Sequence, residues 1–137
     1  MFSPRNLIRY EGDFQFSGEV HALADESFDR DIFREFWRGF TFHSPSLTVV
    51  KTDAKIFVIG DAEPLPTGGE AYSIRVTRTG LAVAADSTEN LILGFMTLID
   101  RIEADDGDNG GTVLKIACCE ITESPAIAIR MAHYCVF

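Results

Sequence analysis

The sequence predicts an α+β domain with an α/β two-layer arrangement, that is, one layer of helices on one layer of sheet. A mixed, largely antiparallel sheet carries two amphipathic helices on one face. Three observations indicate this class. Short β-rich runs recur along the chain, two segments place apolar residues at helical spacing, and 137 residues suffice for one ordinary core. Because no linker or internal repeat divides the chain, residues 1–137 are expected to form a single domain.

The first elements are predicted to be an edge hairpin and an aromatic helix. The hairpin joins residues 6–10 and 14–16 through a turn that contains Gly12. The helix covers residues 25–40, where large apolar side chains recur on one face: Phe28, Ile32, Phe33, Phe36, Trp37 and Phe40. We interpret this face as core packing, and a platform for stacking sugars is the alternative.

Four strands are predicted in the middle of the chain, at residues 47–50, 55–59, 72–77 and 81–85. The last two alternate around a turn, which predicts a hairpin with one dry face and one wet face. Residues 61–69 contain two prolines and two glycines, which prevent regular structure. We interpret this loop as a plain connection, with contact to a substrate as the alternative.

A second helix is predicted to begin at Asp86-Ser87, because apolar residues from Leu91 to Ile102 follow this capping signal at helical spacing. An acidic loop at residues 103–111 comes next. It fails the calcium-binding EF-hand template, since glycine and alanine occupy two of the ligand positions. A strand at residues 113–118 and an apolar stretch at residues 126–137 complete the chain.

Composition restricts the partners. The chain has 12 basic and 21 acidic residues, and this net charge of −9 disfavours nucleic acid and anionic membranes. No apolar run approaches the ~20 residues of a membrane span. No export signal is visible, which slightly favours the cytoplasm. We expect Cys118, Cys119 and Cys135 to be buried thiols in strands, with one reactive thiol as the alternative.

No catalytic constellation is recognisable in the residues themselves. Nucleophile and phosphate-binding motifs are absent, and His21, His43 and His133 lack the spacing of metal ligands. Glu120 and Glu123 come nearest to a glycosidase carboxylate pair, but nothing marks them as acid and base. We therefore predict no catalytic, cofactor-binding or metal-binding residues in this chain.

The second half of the chain carries a series of motifs. Residues 70–76, 80–85 and 93–98 are similar in order and spacing to E-x-Y-x-L-x-V, G-[IV]-x-[IV]-x-A and G-x-x-T-L. This series resembles the non-catalytic domain before the barrel in β-N-acetylhexosaminidases of glycoside hydrolase family 20 and related glycosidases. Residues 120–130 resemble the family's I-x-D-x-P-x-[FY]-x-x-R-G, with Glu123 in place of Asp and Met131 in place of Gly.

The resemblance implies an accessory domain without chemistry of its own. It places the catalytic residues of the parent enzyme, which hydrolyses terminal N-acetylhexosaminides, in a barrel beyond residue 137. Because a terminal stretch this apolar is normally covered, we expect a barrel interface at Ile127, Ile129, Arg130, Met131, Tyr134 and Phe137. Alternatively, the stretch completes the domain's own sheet. If it is exposed, the isolated chain could dimerise.

Other classes of function stay open at this point. A carbohydrate-binding module would need a solvent-accessible Trp37 or Tyr72. A hidden enzyme would need a thiol or carboxylate site and would turn over substrate as an isolated chain. A free-standing structural or assembly domain would need a natural stop after Phe137.

Overall fold

The computed structural model describes residues 6–16, 19–29, 46–66, 69–106 and 112–124. In these ranges the chain forms eight strands, a short 3-10 helix at Glu26–Asp29 and one α-helix, α1, at Thr88–Asp100. The strands are β1 Asn6–Phe16, β2 Glu19–Asp25, β3 Ser46–Thr52, β4 Ile56–Gly60, β5 Tyr72–Thr77, β6 Gly80–Ala85, β7 Glu103–Asp106 and β8 Thr112–Glu123. No described helix is long and apolar enough to cross a membrane.

All eight strands belong to one sheet, with the order β1-β8-β5-β6-β4-β2-β3 and with β7 paired to β8. Every pairing is antiparallel except that of β2 with β3. The long strand β8 pairs with β1 on one side. On its other side it pairs with β7 through its first residues and with β5 through its last. The prediction of a mixed, largely antiparallel sheet is confirmed.

Helix α1 packs on β5 and β6 and begins as predicted. Its N-cap is Ser87, whose hydroxyl accepts a hydrogen bond from the Asn90 backbone N–H at 3.2 Å. Phe95 on the helix contacts Phe57 on β4 edge-to-face at 5.0 Å between ring centroids, and Phe28 stacks on Phe57 at 5.2 Å. These three rings join the helix, the sheet and the 3-10 helix in one apolar core.

The prediction of two amphipathic helices is not borne out, because the described residues contain one α-helix. Asp25, the predicted helix start, is the last residue of β2, where it pairs with Thr52 of β3. Its buried carboxylate accepts hydrogen bonds from the backbone N–H and the hydroxyl of Ser27, which tightens the following turn into a 3-10 helix. The rest of the predicted helix lies outside the described residues.

The predicted N-terminal hairpin is wrong, because residues 6–16 form one continuous strand. A bulge interrupts its pairing with β8: Arg9 pairs with Cys119 and Asp13 with Ala117, so three residues of β1 oppose Cys118 alone. Gly12, at a φ of +94°, absorbs this excess length. Strand β7 lies in the predicted acidic loop, and only its pairing with β8 makes it a strand.

The predicted wet face of the β5–β6 hairpin is largely covered, with Ser73 buried and with Arg75 and Thr77 half-buried. Strands β4 and β5 lie on opposite sides of β6 in the sheet, so the connection between them must cross β6. It does so on the outer face, which we define as the face opposite α1. There the Ser73 hydroxyl donates to the Leu65 carbonyl at 3.0 Å, and Arg75 donates to the Glu63 carbonyl at 3.3 Å. Each face of β6 is therefore covered.

Candidate functional site

The tyrosine and threonine of the motif series meet between the sheet and the helix. Tyr72 is fully buried, and its hydroxyl lies 2.9 Å from the Thr97 hydroxyl. Thr97 donates its only proton to the Leu93 carbonyl at 3.1 Å, so Tyr72 is the donor to Thr97. A buried Tyr72 cannot serve as a sugar-stacking platform; Trp37, the other candidate for that role, lies outside the described residues.

The glycines of the motif series allow close approach. At Gly94 of α1 a Cβ atom would lie 2.9 Å from Val83 Cγ1 and 3.1 Å from the Tyr72 ring. At Gly80 it would lie 2.5 Å from the Ile59 carbonyl oxygen and 2.7 Å from the Asp61 and Ala62 nitrogens. Glycine therefore lets α1 approach β5 and β6, and lets the chain leave β4 beside the β5–β6 turn.

The environment of Tyr72 keeps its hydroxyl protonated. The pKa of Tyr72 is raised to about 12, chiefly by burial, with a smaller contribution from the nearby charge of Glu123, while the hydrogen bond to Thr97 lowers it. Glu123 is itself 1% exposed, and its carboxylate accepts a hydrogen bond from the Ser124 backbone N–H at 3.2 Å. A phenol that stays protonated and donates to Thr97 suits a structural contact between the sheet and the helix.

The structure separates the two glutamates that resembled a glycosidase pair. Glu120 pairs with Arg75 on the outer face, where its carboxylate lies 3.6 Å from Arg75 Nε. Glu123 pairs with Tyr72, an odd number of residues away, so it lies on the face that carries α1. Two carboxylates on opposite faces of one sheet cannot flank a single glycosidic bond.

The cysteines of β8 are buried and not disulfide-bonded. Burial raises the pKa of both thiols, and the positive charges of Arg78 near Cys118 and of Arg101 near Cys119 oppose this only in part. The prediction of buried thiols in a strand is confirmed for these two, and the raised pKa values disfavour a reactive thiol at either. Cys135 lies outside the described residues.

The remaining predicted positions divide between described and undescribed parts of the chain. Within the described ranges, no three histidine, cysteine or acidic side chains converge as a metal site. His21 is exposed on β2, whereas His43 and His133 lie outside those ranges. The same holds for the six residues of the expected barrel interface: Ile127, Ile129, Arg130, Met131, Tyr134 and Phe137.

Sequence reasoning missed the outer face. The described large apolar side chains that are exposed, Ile8, Tyr10, Leu23 and Val50, all lie there. Beside the β1 bulge is an open groove of about 450 Å³, which we call the Tyr10 groove and which is lined by Tyr10, Glu11, Arg75, Val76, Thr77, Arg78, Cys118 and Glu120. Its residues come from three strands distant in sequence, so no local pattern could have identified it.

The comparisons with known proteins show the fold. No family model matches the chain, and no curated protein matches it. Among solved structures, the crystal structure of β-N-acetylhexosaminidase from Bacteroides fragilis NCTC 9343 is similar over 88% of this chain, with a TM-score of 0.53 and 19% sequence identity. The matched region is 23% of that chain. This chain therefore shares its fold with one part of a much longer bacterial hexosaminidase.

Proposed function

We propose that this chain is a non-catalytic accessory domain of a hexosaminidase-like glycoside hydrolase, which precedes the catalytic barrel and braces it. The observation that carries the proposal is the fold likeness, which involves 88% of this chain but only 23% of the hexosaminidase. A match that covers most of one chain and a small part of the other is typical of one domain within a larger enzyme. Most of the hexosaminidase lies outside the matched region.

The positions of the motif residues support this role. Tyr72, Gly80, Gly94 and Thr97 carry the resemblance, and all four hold the helix, the sheet and a turn together. Catalytic motif residues are expected to converge on an accessible cleft, which these do not. In this chain the motifs thus serve the architecture of the domain.

The chemistry assigned to the parent enzyme also favours an accessory role. The family resemblance implies hydrolysis of terminal N-acetylhexosaminides assisted by the substrate's own acetamide, together with acidic residues of the enzyme at the scissile bond. Glu120 and Glu123 lie on opposite faces of the sheet and cannot share that task. In our proposal the acidic residues belong to the barrel, and Ile127, Ile129, Arg130, Met131, Tyr134 and Phe137 contact it.

The source gene provides the first test. We expect its reading frame to continue beyond the codon for Phe137 and to encode a barrel with a neighbouring Asp-Glu pair. A natural stop codon at this position would overturn the proposal and favour a free-standing binding or assembly domain.

Activity provides the second test. The purified 137-residue chain and the longer product should be assayed with a chromogenic N-acetyl-β-glucosaminide. We expect hydrolysis by the longer product alone. Turnover by the isolated chain would contradict a non-catalytic role. If such turnover were then lost in Glu120→Gln or in Glu123→Gln, with folding verified by circular dichroism, the chemistry would be assigned to the carboxylate that the variant removes.

A further inference from the structure

The Tyr10 groove lies on the outer face, away from the contacts between α1 and the sheet. It is bounded by the bulge of β1, by the end of β5 and by the middle of β8. Its volume of about 450 Å³ is within the range of sites for small ligands. None of the motif residues Tyr72, Gly80, Gly94 and Thr97 lines it.

The β1 bulge presents Tyr10 at the edge of this groove. Residues 10–12 oppose Cys118 alone, so the strand departs from regular pairing at the tyrosine. Gly12 makes room for the Arg78 side chain, whose guanidinium group occupies the space that a Cβ atom would need. The Tyr10 side chain is 51% exposed, which leaves an amphipathic ring available on a paired strand.

The groove also holds a fixed donor beside an acceptor. The Arg75 guanidinium is oriented by two contacts, one to the Glu120 carboxylate at 3.6 Å and one to the Glu63 carbonyl at 3.3 Å. Both side chains remain about 30% exposed, so the pair can still bond a ligand. Arg78 and Glu11 add one charge of each sign, and the four charged groups sum to zero.

These features select a neutral, hydroxyl-rich, ring-shaped ligand. Adjacent sugar hydroxyls both donate and accept hydrogen bonds, which matches a guanidinium beside a carboxylate. The apolar face of a sugar ring packs on an aromatic side chain, whereas a charged ligand gains nothing from a balanced groove. We propose that the Tyr10 groove binds a single neutral sugar residue, stacked on Tyr10 and hydrogen-bonded to Arg75 and Glu120.

This inference goes beyond the proposed function, which assigns no ligand to this chain. The groove would hold a glycan on the accessory domain, away from any catalytic centre. Since binding is measured on the chain itself, a negative result leaves the accessory role intact. A stop codon after Phe137 would likewise leave the sugar site intact.

The test is a titration of the ¹⁵N-labelled 137-residue chain, followed by backbone amide chemical shifts, with N-acetylglucosamine and with glucose. We expect saturable shifts in residues 10–12, 75–78 and 118–120. A ligand this small should bind with a Kd of about 1 mM. Tyr10→Ala should weaken binding about tenfold, whereas Tyr10→Phe keeps the ring and should retain most of the affinity.

Two further variants separate the groove from the rest of the outer face. Glu120→Gln removes the charged acceptor and should weaken binding, while Val50→Ala removes an exposed apolar side chain outside the groove and should not. The proposal is overturned by an absence of saturable shifts up to about 50 mM sugar, a concentration far above that Kd. Shifts confined to other residues, or unchanged affinity in both Tyr10→Ala and Glu120→Gln, would also overturn it.

Discussion

Thr97 connects the helix to the sheet through one hydroxyl group. Its oxygen receives the Tyr72 hydrogen bond, and its proton goes to Leu93 one turn earlier in α1. Because both hydroxyls are buried, neither can exchange its partner for water. The contact contributes a modest net energy when it is made, and its loss costs more because a buried donor loses this acceptor.

Replacing Thr97 with valine should therefore destabilise the domain. The change keeps the shape but removes the buried hydrogen bond between the Tyr72 and Thr97 hydroxyls, so we expect a loss of about 1–3 kcal/mol in the free energy of unfolding. Urea denaturation monitored by circular dichroism measures this loss. Thr79→Val in the exposed β5–β6 turn is the matched control, with an expected change within about 0.5 kcal/mol. Equal effects of the two substitutions would contradict a role for the Thr97 contact.

The raised pKa of Tyr72 predicts that the free energy of unfolding depends on pH above pH 10. Its folded pKa of about 12 exceeds the ordinary tyrosine value of 10, so the folded state holds the proton more tightly than the unfolded state. The resulting stabilisation is complete below pH 10 and is lost as the pH rises to 12. Two pKa units correspond to roughly 3 kcal/mol.

The comparison of the native chain with Tyr72→Phe measures this effect. Over pH 10–12 the unfolding free energy of the native chain should fall more steeply than that of the variant, which has no phenol at this position to titrate. Parallel curves would contradict the raised pKa. Absorbance at 295 nm gives an independent measure, since the phenolate band that the variant lacks should develop near pH 12.

At the scale of elements, α1 was the most predictable feature and its packing the least. Ser87 and the apolar spacing after it indicate the helix directly, and the structure places its start where they predict. The closeness of α1 to the sheet depends on Gly94, which lies against Val83 and Tyr72 of two different strands. A helix-propensity scale counts Gly94 only as unfavourable, because such a scale does not include the tertiary contacts of a residue.

Gly94→Ala should accordingly destabilise the domain, although alanine favours an isolated helix by about 1 kcal/mol. The added methyl group would meet Val83 and Tyr72 at distances that force α1 to shift, with a typical cost of about 1–3 kcal/mol. Thermal denaturation measures the balance of the two effects. Asp100→Ala is the control. It also introduces alanine into α1, but at an exposed position where the acidic side chain opposes the helix dipole, so this substitution should not destabilise the domain. A Gly94→Ala variant more stable than the native chain would show that the contact is loose.

Over the whole molecule, the strands at the centre of the sheet are covered by other elements more than the strands at its edges are. Strands β5 and β6 are covered on one face by α1, and residues 61–66 cover part of the other face. Among the described residues, β1 and β3 each have a paired strand on one side only, and both carry exposed apolar side chains on the outer face. Local opening should therefore begin at β1 and β3 and reach β5 and β6 last.

Amide hydrogen exchange checks this order. We expect the slowest exchange at residues 73–76 and 81–84, and exchange at least about tenfold faster at the hydrogen-bonded amides of β3. Equal protection across the sheet would indicate that the edges open only with the whole domain. Preferential protection of β1 would instead indicate that another surface covers the outer face.

The sequence by itself determined the elements that are specified by local patterns of residues. The cap and spacing of α1, the β5–β6 hairpin and the largely antiparallel sheet were predictable, since periodicity records which sides of an element avoid water. It also contained the motif series, and hence the likeness to a hexosaminidase domain. The class of fold and the resemblance to a hexosaminidase domain therefore came from local patterns.

Only the tertiary structure decided which elements cover one another. It buried both faces of β6, made β7 a strand, turned residues 6–16 into one bulged strand and separated Glu120 from Glu123. It also assembled the Tyr10 groove from β1, β5 and β8. Each outcome depends on pairing between residues far apart in the chain, and the pattern within one element contains no record of its partner.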